Sequence, residues 1–166
     1  MKNLLIATIL TFATAVGFAG EKIEKKDDAK AVSYSAKKQL EAEFADAKSV
    51  TWSVNEDYQK ATFTSEGKKL TAIFDVQGNY LAATQAIAFE DLPADAKKSI
   101  EKVYKDYTFS DAIKIVARPA SDYQSNDVGT YWIDLTKDNK QIYLNYTEAS
   151  GLSFYKRVEG SANAKN

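Results

Sequence analysis

Apolar positions along the chain recur with two different periods. From Ser35, "SAKKQLEAEFADA" places Ala36, Leu40, Phe44 and Ala47 on one helical stripe, with Ser35 able to cap the first turn. The period then drops to two. "VTWSV" sends Val50, Trp52 and Val54 to one face, "KATFT" sends Ala61 and Phe63, "LTAIF" sends Leu70, Ala72 and Phe74, and "YLAATQA" sends Leu81 and Ala83. Short polar turns separate these runs at "NED" (55–57), "SEGK" (65–68) and "DVQG" (75–78), as hairpins between antiparallel strands require.

The same order then repeats. "LPADAKKSIEKVYKDY" opens with Pro93 at a helix start and carries Ala96, Ile100, Val103 and Tyr107 as its apolar stripe. Four strand patterns follow: "IKIVA" from Ile113, "TYWIDL" with Tyr131, Ile133 and Leu135 on one face, "QIYLNY" with Ile142, Leu144 and Tyr146, and "LSFYKRV" with Leu152 and Phe154. The pattern predicts an α+β fold of tandem duplicated helix-plus-four-strand antiparallel units, forming one sheet layer with helices on one face. The units span 35–90 and 91–159 of a single domain, 35–159. Residues 118–130, "RPASDYQSNDVGT", replace the short first turn of the earlier copy with a long loop.

One of these turns has the look of a metal loop. In "FDVQGNYL" an aspartate precedes a glycine by three positions. An EF-hand loop needs oxygen ligands at alternate positions, glycine at its sixth position and helices on both sides. Here strands flank the stretch, so Asp75 and Gly78 are turn residues: the carboxylate bonds the nearby backbone, and the glycine takes positive φ.

The chain begins "MKNLLIATILTFATAVGFAG", a basic start at Lys2, an apolar run from Leu4 to Val16, and small residues. That is the form of a secretory signal peptide, 1–19, with cleavage expected after Ala19 and a rival site after Ala15. The run is shorter than the ~20 residues of a membrane span, so no stable membrane anchor is expected. Residues 20–34 mix charges with little apolar content and read as a flexible spacer, and 160–166 read as a disordered tail. The protein is therefore expected in the periplasm or secreted. With no cysteine, its stability must come from packing alone.

Composition removes several functions. The 22 basic and 23 acidic residues leave a formal charge of -1, which offers no field to attract nucleic acid. There is no histidine or cysteine, so the usual proton shuttle, thiol nucleophile and zinc ligands are missing. Carboxylates remain: Glu56 with Asp57, Glu90 with Asp91, and Asp134. The first four lie in turns or beside a helix start, where solvated and capping roles account for them, and Asp134 is a lone acid on a strand. No catalytic residue, metal site or cofactor is expected, and the protein reads as a non-enzyme.

The order "VTW", "YQKATF", "FDVQGNYL", "LPADAKKSIEKVY", followed by a second set of strands, resembles the PepSY-like, beta-lactamase-inhibitor-like family of secreted bacterial proteins of Bacteroidetes type. The likeness spans residues 36–158 and rests on pattern and short phrases, not on a catalytic signature. It implies tandem helix-plus-sheet repeats, an extracytoplasmic location and a binding or inhibitory role. The second copy departs from the pattern at "YTEASG", which lacks the Phe-Asp pair, and in its long loop.

Aromatic content is high, with 10 tyrosines and 2 tryptophans. Alternation assigns Trp52 to a core face with Val50 and Val54. It sends Trp132, Tyr143 and Tyr155 opposite the apolar sets of their strands, near Asp134 and Arg157, on a face the helices leave uncovered. A rigid aromatic patch with a polar rim has the composition of a protein-binding surface, and cross-strand pairing that stabilises an exposed sheet is the alternative. The expected partner is an envelope or secreted protein, with a peptidase or other hydrolase as the narrower form. A small-ligand or envelope-stress carrier with a pocket between sheet and loop is the second functional reading.

Overall fold

The computed structural model describes residues 31–122 and 125–159, so the expected signal peptide, spacer residues 20–30 and the tail 160–166 lie outside the described residues. The elements are α1 (Tyr34–Glu43), β1 (Lys48–Val54), β2 (Tyr58–Ser65), β3 (Lys68–Asp75), β4 (Tyr80–Ala86), a 3-10 turn (Phe89–Asp91), α2 (Ala94–Val103), β5 (Thr108–Ala117), β6 (Tyr131–Lys137), β7 (Lys140–Thr147) and β8 (Gly151–Glu159). The strands hydrogen-bond in sequence order as one eight-stranded sheet. The chain divides into two compact units. Among the described residues, one comprises Ile87–Lys114 with 129–159, the other 31–86 with Ile115–Val128. The division falls within β5, whose residues up to Lys114 belong to one unit and those from Ile115 to the other.

In the earlier unit, the cap of α1 lies two residues before the expected one. Ser33, not Ser35, accepts the Ala36 N–H through Oγ at 3.1 Å. The end of the expected spacer is correspondingly part of the packed structure: Val32 is buried with Ala36 and Leu40. These side chains pack against Trp52, Ala61, Phe63, Leu70, Ala72 and Phe74, the inward residues that alternation assigned on β1, β2 and β3, and against Ala83 and Tyr80 of β4, where Leu81, expected inward, is only half-buried. Phe44 caps the helix end by donating its N–H to Leu40, and its ring meets Phe63 at 4.9 Å.

The "DVQG" stretch is a turn, and it is also where α1 is fastened. Asp75 accepts the Asn79 N–H and side-chain amide, each at 2.8 Å, while Gly78 N–H closes onto the Asp75 carbonyl at 3.0 Å. Buried Gln59 accepts the Ser33 N–H at 2.8 Å and donates to the Asp75 and Val76 carbonyls at 3.1 and 3.2 Å. On the face away from α1, Thr51, Thr62, Thr71 and Thr84 stand opposite one another across four strands. The Thr62 and Thr71 hydroxyls lie 3.3 Å apart.

In the later unit, α2 buries Ala96 and Ile100 against Ala112, Ile133, Leu135, Ile142, Leu144 and Tyr146. Val103, expected on that stripe, is exposed. The helix stops there, and Tyr104, whose N–H caps onto the Ile100 carbonyl, packs against the core in its place. Each unit therefore has its helix on one face of its strands, over a core of its own.

Candidate functional site

The face of the later unit turned away from α2 carries the expected aromatic residues, and strand register decides which of them meet. Trp132 and Asp134 lie two apart on β6, and Tyr143 stands directly opposite Asp134 on β7. The structure therefore brings Trp132, Asp134 and Tyr143 together. Beyond Tyr143, β8 has a bulge: Tyr143 faces Lys156 and Leu144 faces Phe154, so Tyr155 is the extra residue. Its ring stands perpendicular to Trp132 with centroids 4.9 Å apart, which places Tyr155 in the cluster as well.

The same bulge removes Arg157. It pairs with Ile142, a core-face position, so Arg157 lies on the α2 side and not beside the aromatic cluster. Lys156 takes the expected place, with its ammonium 4.9 Å from the Tyr143 ring centroid.

The cluster is also less open than alternation predicts. Asp134 and Tyr143 are each 1% exposed and Trp132 9%, while Tyr155 at 37% forms the rim. Part of the cover comes from Tyr155 and Lys156, the two side chains that the bulge delivers across the Trp132 and Tyr143 rings.

Burial here leaves polar atoms unsatisfied. Asp134 Oδ2 accepts from Gln141 Nε2, but Asp134 Oδ1, Trp132 Nε1 and the Tyr143 hydroxyl have no hydrogen-bond partner among the described residues. Such groups are rare inside folded proteins because each forfeits its hydration without a replacement. A further acid lies alongside, at a position the sequence reading missed. A bulge at Ser110 sets Asp111 opposite Asp134, where an unbroken register would have put the serine. Burial pushes Asp111 above the ordinary carboxylate range, although the Ala112 N–H on its Oδ1 at 2.8 Å opposes the shift. Burial likewise raises Asp134 to about 6; Gln141 opposes the rise and the Asp111 charge adds to it. Tyr143 is pushed up to about 12 by burial and by the Asp134 charge.

The long loop begins with a fixed anchor. Arg118 Nε donates to Asp127 Oδ1 at 2.9 Å, Nη2 to Asp127 Oδ2, and Nη1 to the Leu81 carbonyl at 2.9 Å. Both ends of the loop are thereby clamped within the earlier unit. A concavity of about 330 Å³ opens at a different place, on the α2 side of the later unit, lined by Phe89, Ile100, Glu101, Tyr104, Lys105, Tyr107 and Phe109. Among the described residues no group of three or more acidic residues is arranged to hold a metal ion, and no helix is long and apolar enough to cross a membrane.

No protein-family profile matches the chain, and no curated protein does. Its likeness is to solved structures, and it is one of fold. A BLIP-like protein from Bacteroides fragilis NCTC 9343 superposes with a TM-score of 0.60 at 17% identity, covering 84% of this chain and 97% of that one. A DUF2874 family protein from Bacteroides ovatus ATCC 8483 gives 0.56 at 17% identity, over 76% of this chain and 86% of its own. A protein proposed to be periplasmic, from Bacteroides eggerthii DSM 20697, gives 0.56 at 14% identity, over 77% and 88%. The fold is thus BLIP-like, with an antiparallel sheet and two α-helices among the described residues. Its relatives in structure come from the bacterial group that the sequence resemblance pointed to.

Proposed function

We propose that this chain is a non-catalytic periplasmic or secreted binding module of PepSY-like type. It is built from two copies of a helix-plus-four-strand unit and recognises an envelope or secreted protein through the Trp132, Asp134, Tyr143 and Tyr155 face of the later unit. The observation that carries the reading is that three buried polar atoms on one sheet face lack partners, beside aromatic rings. A surface that meets a partner keeps such groups because the partner satisfies them, and buried aromatics supply most of the binding energy there. The BLIP-like fold and the structural relative proposed to be periplasmic support the module reading. Inhibition of a hydrolase is its narrower form. The absence of histidine and cysteine weighs against catalysis.

A second reading, a small-ligand carrier, draws on the concavity beside α2. Its 330 Å³ sits at the lower end of the ~300–1,000 Å³ usual for ligand pockets, and its rim is formed by exposed Glu101 and Lys105.

Photo-crosslinking from within the cell envelope tests the favoured reading. A benzophenone side chain replacing Tyr155 should capture one envelope protein, and the same group replacing exposed Val103, on α2, should not. Tyr155→Ala, at the rim, should lower affinity for the captured protein by about tenfold or more, with little loss of melting temperature. Equal capture from both positions, or unchanged affinity in Tyr155→Ala, would overturn the assignment of this face.

A further inference from the structure

The binding face has a chemical sign, and register exposes it. Across β5 to β8 one row reads Asp111, Asp134, Tyr143, Lys156, each residue opposite the next. Two carboxylates face each other on neighbouring strands, an arrangement that repels. Neither has an ion-pair partner among the described residues, and Asp134 keeps one oxygen with no hydrogen bond. A buried charge without a counter-charge is the arrangement that folding disfavours most strongly.

Aromatic rings frame these acids. Trp132 lies two residues from Asp134 on the same strand, Tyr143 lies opposite it, and Tyr155 stands against Trp132. The negative faces of such rings attract cations. The chain itself gives an instance of this, since the Lys156 ammonium rests 4.9 Å from the Tyr143 ring centroid.

We propose that the partner of this face presents a cationic side chain, an arginine guanidinium or a lysine ammonium, which docks against Asp134 and Asp111 among the rings of Trp132, Tyr143 and Tyr155. The inference rests on the binding-module reading and names what that face recognises. An anionic group would meet two carboxylates, and an apolar plug would leave Asp134 Oδ1, the Trp132 N–H and the Tyr143 hydroxyl without partners. A cation supplies donors to Asp134 Oδ1. A carbonyl on the same partner segment is left to accept from Trp132 Nε1 and the Tyr143 hydroxyl. Displacing Lys156 from the Tyr143 ring is a side-chain movement at an edge strand and leaves the ladder intact.

The test uses N-acetyl-arginine amide as the probe and its neutral isostere, N-acetyl-citrulline amide, as the control. Each is titrated into 15N-labelled exported protein at pH 7.5. The chain has 2 tryptophans, so the indole spectrum holds one resonance at the site, Trp132, and one in the other core, Trp52. Arginine amide should shift the Trp132 indole saturably, about tenfold more tightly than citrulline amide, and leave Trp52 unmoved. Asp134→Asn should abolish the preference while the circular dichroism stays native-like and unfolding stays cooperative. Lowering the pH toward 5 should weaken the arginine probe as Asp134 takes up a proton. The groups facing that carboxyl are Asp111 from β5, Gln141 and Tyr143 from β7, and Lys156 beyond them on β8.

Equal binding of the two probes, or an intact preference in Asp134→Asn, overturns the cation inference. If that happens while the crosslink from position 155 persists, the module reading stands and only its chemistry is wrong. A selective arginine site with no crosslinked protein supports the chemistry and overturns the protein partner.

Discussion

Replacing Gly78 by alanine tests how the turn after β3 is joined to α1. Gly78 has φ +86°, a conformation that disfavours a side chain by roughly 1–2 kcal/mol. A methyl group there would also lie 2.3 Å from Ser33 Oγ, 2.7 Å from Ala36 N and 2.9 Å from Ser35 Cβ. Ser33 could rotate away, but its Oγ is the helix cap, and losing that bond costs about 0.5–2 kcal/mol. Ala36 N is backbone within the first turn and moves only with the helix, an overpacking penalty of about 1–3 kcal/mol. The sum predicts a loss of roughly 2.5–7 kcal/mol for Gly78→Ala. Gly67 provides the control: its φ is +76° and nothing lies within 4 Å of the added carbon, so Gly67→Ala should lose only the conformational ~1–2 kcal/mol. Urea unfolding of both variants measures the difference. If Gly78→Ala is no less stable than Gly67→Ala, the close approach of turn and helix is not as described, and the turn needs glycine for its backbone angle alone.

Two further variants probe charges. Asp134 has a folded-state value near 6, above its ordinary 3.8, so the native form binds the proton more tightly than the unfolded form. Its stabilising contribution is full below about pH 4 and is lost as pH rises through 6, so Asp134→Asn should flatten that fall and exceed wild type at pH 7.5 by on the order of 2–3 kcal/mol. Denaturation at pH 4 and 7.5 decides it, and parallel curves for the two proteins would refute the burial of that carboxyl. Arg118→Ala removes three hydrogen bonds and leaves the Leu81 carbonyl and the Asp127 carboxylate without their donor. It should cost about 2–4 kcal/mol and open the 119–128 segment to proteolysis; a loss under ~0.5 kcal/mol, with the segment still protected, would show that the clamp is not holding it.

Much of the architecture is legible from periodicity. Ala61, Phe63, Leu70, Ala72 and Phe74, and again Ile133, Leu135, Ile142 and Leu144, enter the cores that alternation assigned them, because a half-buried strand has no other way to place its apolar residues. The helix stripes begin correctly at Ala36 and Ala96. At their far ends the reading slips, since Val103 and Tyr104 both fit the spacing and only the point where α2 stops selects between them.

The candidate site divides along the same line. That Trp132, Asp134 and Tyr143 share a face follows from a period of two on β6 and β7, whose pairing is unbroken. What the period cannot contain is a bulge. One extra residue at Tyr155 turns Arg157 to the opposite face and brings Lys156 over Tyr143, and one at Ser110 sets Asp111 against Asp134. The second role of Gly78 is hidden for a similar reason: its neighbours Ser33 and Ala36 are distant in sequence, and a turn motif records only its own residues. Local sequence determined which residues are apolar, which alternate and where the chain turns, because those preferences act over a few bonds. Register, burial and the pairing of charges were decided by tertiary structure, because they depend on which strand arrives alongside and on whether one residue is counted out of step.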